Sequence, residues 1–284
     1  MGCLEQYKIH GLTLSHSVDE KPDNDRFFLH VHDDCEFFCL VTGKVGYVVE
    51  GRVYDLRPGS LMLMRSAETH RLLVRGAEPY ERYTLNFRPE LLTEHGFPMS
   101  LMCPFTRRGL GERNLYLPGE FHGIEPLGLF RQMCASCDAL PAEPTLVANL
   151  IALLCAVNTA FSAQPKDRPQ DGDEVGRELI DYINDHLTEE LSLSVLSEQI
   201  HMSPSQINRV FRRLTGTSVY HYILSKRLVL AQSMIAAGES AVAASQNCGF
   251  HDYSAFYRLY KKRMGAPPIA AKQKEPMPQK SATP

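Results

Sequence analysis

Apolar residues change their period along this 284-residue chain. Up to about residue 120 they come in short runs bounded by turn residues, the pattern of a β-barrel or sandwich. Val45-Gly46-Tyr47-Val48-Val49 and Arg52-Val53-Tyr54 read as two strands joined at Glu50-Gly51, a hairpin signal. Pro58-Gly59 opens a further β run over 60–64, and another covers 80–87 and ends at Arg88-Pro89. The spacing then turns helical. Segments 126–140 and 145–161 carry apolar residues every three or four positions and are separated by Pro141-Ala142-Glu143-Pro144. In this αα-hairpin Leu146, Leu150, Leu153, Leu154 and Val157 form one stripe. The stripe suits a dimer face and a seam against the chain's own barrel alike. Segment 162–172, with two prolines and mixed charge, reads as a linker.

Beyond it, two tracts share one grammar. A helix over 193–200 starts after Ser192, a good N-cap, and turns Leu193, Leu196 and Ile200 inward. After the turn 200–202, Ser203-Pro204-Ser205-Gln206 is a capping box with proline at the first helical position. On the helix that follows, Ile207, Val210, Phe211 and Leu214 share one face, and Ser205, Asn208, Arg209 and Arg212 the other. Gly216 stops it. Thr217 is expected to cap a longer helix that runs to Ala237 and is closed by Gly238. A second unit repeats the plan: a small-residue helix over 241–248, a turn at Gly249, and a helix from Asp252. Phe256, Leu259 and Tyr260 face its core, while Tyr253, Ser254, Tyr257 and Arg258 face outward. Such a pair is how one chain offers two helices to the DNA major groove. Asparagine suits adenine and arginine suits guanine through bidentate contacts. Basic residues further along meet phosphates, so Arg212 and Lys261 complete the expected DNA-contacting set. The linking helix would let both units enter major-groove segments about 34 Å apart on one DNA face.

Charge sharpens this picture. The formal net charge of −3 hides nine basic residues between 204 and 264 (Arg209, Arg212, Arg213, Lys226, Arg227, Arg258, Lys261, Lys262 and Arg263), opposed only by Glu239 and Asp252. A localised basic stripe is what phosphate binding requires, because released counterions supply much of the affinity. Length allows two hydrophobic cores, and 44% hydrophobic with 22% charged residues is ordinary for a globular protein. No uninterrupted apolar run reaches the roughly 20 residues of a membrane helix, and the N-terminus lacks a secretory pattern. A cytoplasmic location without membrane contact is expected, with the eight cysteines reduced. Cys134-Ala135-Ser136-Cys137 occurs once, on an amphipathic stretch, and reads as paired helix-face thiols. No nucleophile–base motif, phosphate loop or dinucleotide fingerprint is present, so no enzyme activity is expected.

Lys226-Arg227-Leu228-Val229-Leu230-Ala231 and Gly249-Phe250-His251-Asp252-Tyr253-Ser254-Ala255-Phe256-Tyr257-Arg258 resemble the AraC/XylS-type bacterial transcription regulators, over about residues 175–270. The resemblance implies that Ser205, Asn208 and Arg209, with Tyr253, Ser254, Tyr257 and Arg258, read or flank bases. It also implies a homodimer on a double-stranded promoter operator, activating through contact with RNA polymerase. The sequence departs from the family at Ala241 and Ala244, which replace larger aliphatics, and at Cys248. The usual tyrosine-arginine ending is missing after Pro267-Pro268. A less stable second unit with a smaller share of specificity is the expected consequence.

In the first half, His30-Val31-His32, then Glu36 and Gly43, is similar to the first motif of the cupin barrel. Pro58-Gly59 and His70 stand where a looser second motif would place a turn and a fourth ligand, although proline and glycine are adjacent and no asparagine follows at the family spacing. On a strand, His30 and His32 would share a face. With Glu36 and His70 they offer three imidazoles and a carboxylate to Zn²⁺, Fe²⁺, Mn²⁺ or Ni²⁺. Sensor domains of AraC-type regulators resemble cupins and commonly keep this pattern without metal. The resemblance therefore implies no cofactor and a pocket in which Arg26, His30, His32, Glu36, His70 and Arg82 bind a small-molecule effector, with a sugar or related metabolite as the leading class. The expected fold class is α+β and multidomain. A cupin-like β-barrel with an αα-hairpin spans 1–161, for sensing and dimerisation, and a linker follows over 162–172. An all-α double helix-turn-helix domain occupies 173–270, and a disordered tail 271–284. The rival from another class is a metal-dependent cupin enzyme carrying a DNA-binding appendage.

Overall fold

The computed structural model describes residues 2–121, 123–137, 140–164, 174–264 and 266–268. Residues 165–172 of the expected linker, and the expected tail, lie outside the described residues. The N-terminal half is antiparallel β-structure: β1 (Gly2–Ile9), β2 (Leu12–Asp19), β3 (Cys35–Thr42), β4 (Val45–Val49), β5 (Arg52–Asp55), β6 (Leu61–Met64), β7 (His70–Val74), β8 (Tyr80–Phe87) and β9 (Leu115–Tyr116). A six-stranded sheet runs in the order β1-β2-β8-β3-β6-β9, and a three-stranded sheet in the order β5-β4-β7. Val49 pairs with Arg52 across the expected hairpin. Glu50 (φ 46°) and Gly51 (φ 73°) between them are left-handed, as a tight two-residue turn demands.

The six-stranded sheet is covered on both sides, which explains why β3 and β6 are apolar at nearly every position. Strand alternation sends Phe38, Leu40, Met62, Met64 and Tyr80 into the barrel, where they meet Tyr47 and Leu72 of the smaller sheet. Phe37, Cys39, Leu61, Leu63, Tyr83 and Leu85 point the other way. There they meet two helices joined in a hairpin, and two short turns of helix, α1 (Glu90–Glu94) and α2 (Cys103–Thr106), fill in beside them. The hairpin consists of α3 (Pro126–Cys137) and α4 (Ala142–Ala163). Leu146, Leu150, Leu153, Leu154 and Val157 are all fully buried in this layer. The stripe is thus the barrel seam, which removes it as a dimer face. By length and composition α4 could cross a membrane; here its apolar face is occupied by the sheet.

Helices α5 (Glu174–Asp185), α6 (Leu193–Ile200), α7 (Pro204–Thr215), α8 (Val219–Ala236), α9 (Ala241–Asn247) and α10 (Tyr253–Met264) form the C-terminal half. Ser192, Ser203, Ser218 and Ser240 cap α6, α7, α8 and α9, and the capping box of α7 is complete with Gln206. The cap of α8 is Ser218 and not Thr217, whose amide is held instead by the Thr215 hydroxyl at 3.3 Å. Helix α8 serves two cores. Val219, Tyr222 and Ile223 pack with Ile207 and Phe211 in the first unit, and Leu228, Ala231 and Ile235 with Phe256 and Tyr260 in the second. Ala244 and Cys248, where the sequence departs from the pattern it resembles, are fully buried in that second core.

One buried ion pair fixes the β6–β7 connection. Arg108 clasps Glu68 through both guanidinium nitrogens at 2.6 and 2.8 Å, and Glu68 also accepts from Asn114 Nδ2 and from the amides of Gly111 and Arg65. Removing one partner leaves a buried charge uncompensated. Arg108→Leu should therefore destabilise the protein by about 3–5 kcal/mol, read as a lower denaturation midpoint, and Glu68→Gln in the same chain should restore part of the loss.

Candidate functional site

The expected DNA-contacting residues all lie on α7 or α10. Ser205, Arg209 and Arg212 are exposed on α7, with Asn208 half-buried beside them. Tyr253, Ser254, Tyr257, Arg258 and Lys261 are exposed on α10. Opposite them, Ile207 and Phe211, and Phe256 and Tyr260, are buried, so each helix is oriented by its apolar back. Asp252 accepts from the Ser254 amide at 2.8 Å and closes the start of α10. Two members of the basic stripe are not on this face. Lys226 and Arg227 are buried, and Arg227 donates to the carbonyls of Leu187, Glu189 and Gly249, tying the turn after α5 to the turn before α10. Charge counting along the sequence could not separate a structural arginine from a phosphate-binding one. The seven other basic residues, Arg209, Arg212, Arg213, Arg258, Lys261, Lys262 and Arg263, are exposed.

In the barrel, a cavity of about 420 Å³ is lined by Arg26, His30, Glu36 and Arg82, as expected, together with Phe27, Phe28, Tyr47, Leu72, Tyr80, Thr84 and Asn86. Tyr80, Arg82, Thr84 and Asn86 share the inward parity of β8, a signal that strand alternation already contained. His32 and His70 do not line the cavity but stand beside Glu36. His32 Nε2 lies 3.0 Å and His70 Nε2 3.6 Å from Glu36 Oε2, and Asn86 Nδ2 donates to the same oxygen at 3.1 Å. Ligand atoms of His30, His32, Glu36 and His70 all fall within 4.8 Å of one another. The expected strand over His30–His32 is absent. β3 begins only at Cys35, and His30 is held by a single bridge to His70, with backbone bonds of 3.0 and 2.9 Å. Burial, then the neighbouring His70, lowers His30 to about 4. Burial opposes charge on His32 as well, but the Glu36 carboxylate raises it above the usual value. Glu36 is held well below the carboxylate range by His32 and His70 despite its burial.

Similarity to known proteins follows the same division. Residues 18–96 match the model of an AraC-like ligand binding domain, and residues 196–274 that of a helix-turn-helix domain. The chain is 26% identical over 231 residues to the arabinose operon regulatory protein of Escherichia coli (strain K12), covering 77% of this chain and 73% of that protein. It is 24% identical over 276 residues to the transcriptional activator RhaS of Escherichia fergusonii, covering 92% of each. Over 91 residues, 32% of this chain, it is 30% identical to the multiple antibiotic resistance protein MarA of Salmonella typhimurium, 72% of which is covered. The chain belongs to the AraC-type transcription regulators. It is a DNA-binding transcription regulator with an N-terminal ligand-binding domain.

In this AraC-type regulator the two halves meet through a residue that sequence reasoning missed. Glu50, at the tip of the β4–β5 hairpin, is buried, and four residues satisfy its carboxylate. Lys226 Nζ of α8 lies at 2.9 Å, Tyr222 Oη of α8 at 2.5 Å and Asn184 Nδ2 of α5 at 2.9 Å. From the barrel side, Thr69 donates its amide at 2.5 Å and its hydroxyl at 3.0 Å. Lys226 also donates to the carbonyl of Ala67 at 2.7 Å. Gly51 packs so closely on Ile180 that a Cβ there would collide with it. Burial first, and then the Glu50 charge, push Tyr222 well above the usual phenol range. Glu50→Ala strands the Lys226 ammonium, so it should cost about 3–5 kcal/mol at the junction. The expected readout is faster hydrogen exchange in α8 and at Thr69, with the helix hairpin α3–α4 unchanged.

Proposed function

We propose that the protein binds a promoter operator as a homodimer and activates transcription there through contact with RNA polymerase, in the cytoplasm, when a small molecule occupies its barrel. In this reading residues 1–161 sense and dimerise, 162–172 link, and 173–270 bind DNA. The observation that carries it is the pair of capped helices, α7 and α10, each with its apolar side buried and its arginine-bearing side in solvent. Ser205, Asn208, Arg209, Tyr253, Ser254, Tyr257 and Arg258 read or flank bases, while Arg212 and Lys261 hold phosphates. The name of the related RhaS regulator supports activation. A hydroxylated effector is supported by the cavity's Arg82, Thr84 and Asn86 beside the Tyr47 and Tyr80 rings, and by the name of the arabinose operon regulator. Binding of this kind works by shifting populations, so the effector must favour one arrangement of the two halves over another. The Glu50 contact is the element available to be shifted.

Purified protein mixed with fragmented genomic DNA at physiological salt tests the reading. Two short boxes about one helical turn apart should be enriched; uniform, salt-sensitive binding would refute it. On a recovered site, Arg209→Ala or Arg258→Ala should each cost about 1–3 kcal/mol and relax preference at one box. Lys261→Ala should weaken all sequences evenly and reduce the salt slope by about one.

A further inference from the structure

We infer that Arg227 is a positioning residue: it fixes the separation of the two DNA-reading helices, and with it the box spacing that an operator must present. The inference rests on the proposed DNA-binding function and adds what sets its geometry.

Helix α8 alone does not hold two units in register. Val219, Tyr222 and Ile223 belong to the core of the first unit, and Leu228, Ala231 and Ile235 to the separate core of the second. A rod of 18 residues, about 27 Å long, sets a distance along its axis. A unit packed on either end is still free to swivel about that axis, because apolar contacts carry no direction. A directional contact away from the axis is needed to stop it.

Arg227 supplies that contact. It lies on α8 between the two cores and is buried. Its guanidinium donates from Nε to the Leu187 carbonyl at 2.8 Å, from Nη2 to that of Glu189 at 2.6 Å and from Nη1 to that of Gly249 at 2.7 Å. The first two acceptors follow α5 in the first unit, and the third follows α9 in the second. C-terminal helix ends carry partial negative charge, so carbonyls just past α5 and α9 stabilise a cation there. A planar fork with fixed donor directions suits one arrangement of three carbonyls, which the single-point ammonium of lysine does not specify. Gly249 closes the fit. Its φ is 83°, and a Cβ there would lie 2.8 Å from Arg227 Cζ and 3.0 Å from the Thr188 carbonyl. The turn before α10 is thus pressed on the turn after α5 with the guanidinium between them. Lys226, the preceding residue, is bonded to Glu50 and Ala67 and anchors the same turn of α8 to the barrel.

This brace has a consequence on DNA. One base pair added between two boxes moves the second by about 3.4 Å along the duplex and turns it by about 35°. Braced units cannot follow, and each bidentate base contact forfeited costs about tenfold in affinity.

The test uses the full chain and the operator recovered by genomic selection. Affinity is measured at one salt concentration for the natural spacer, for spacers one base pair longer and shorter, and for duplexes carrying either box alone. The parent should lose about tenfold or more on each altered spacer. Arg227→Met keeps the apolar stem without the donors, and Gly249→Ala drives the guanidinium from its seat. Both should flatten the profile to about threefold or less while binding to a single box holds. Arg227→Lys keeps the charge without the fork and should flatten it too, and it decides the matter where Arg227→Met does not fold. Variants that retain the parent's profile, or that lose affinity evenly on every duplex, overturn the inference. An operator that the parent binds equally at every spacer overturns this inference alone. Selection of no operator overturns the regulator reading, and the inference with it.

Discussion

A single buried carboxylate governs how the two halves of this regulator meet. Glu50 stands on a turn whose two residues have positive φ, and it reaches out of the barrel into a pocket formed by α5 and α8. A charge in such a place is tolerated only when hydrogen bonds and an opposite charge replace its water. Lys226 supplies the charge, and Tyr222, Asn184 and Thr69 supply the bonds. Several side chains must arrive together, so few placements of one half on the other satisfy them all. An apolar contact of the same area would tolerate sliding; this one does not.

The same logic of two-sided satisfaction places the sensor. The large sheet is covered by helices on one face and by the small sheet on the other, so alternation along its strands assigns each residue to a different core. Glu36 shares parity with Phe38 and Leu40 and therefore points into the barrel, as do Arg82, Thr84 and Asn86 on the neighbouring strand. A polar cluster thus forms in an apolar interior from positions that the pleat alone determines. The turn chemistry around Glu68 then brings His70 to face them.

Several local signals are legible in the sequence to the residue, although the cap of α8 falls on Ser218 and not on Thr217. The Ser203–Gln206 capping box, the Gly216 stop, the Glu50-Gly51 turn and the strand over 80–87 all stand where spacing and turn residues put them. Contacts between distant segments were not. Lys226 and Glu50 are 176 positions apart, and nothing in a run of basic residues distinguishes one that neutralises DNA from one that neutralises a buried glutamate. The α4 stripe announced burial without saying against what, because a helix face has the same pattern whichever partner covers it. The His30–Val31–His32 alternation suits a strand, yet a loop and one bridge hold these residues, since ring hydrogen bonds to carbonyls fix their direction instead.

Under the proposed function, the energies at this junction are of the size a switch needs. Coupling between sites in regulators typically amounts to about 1–3 kcal/mol. One hydrogen bond to a charged group contributes about 1.5–3 kcal/mol. A change at His70 that alters one of the two bonds from Thr69 to Glu50 therefore has the magnitude required, without domain rotation or refolding. Glu68, locked by Arg108, anchors the chain two residues before His70, so a displacement at His70 would reach back no further than Thr69. It passes forward along β7 or sideways into Glu50, and β7 is itself paired with β4, whose end carries Glu50. Both routes end at the same carboxylate, so under the proposed function the barrel cavity and helices α7 and α10 would need no shared residue to be coupled.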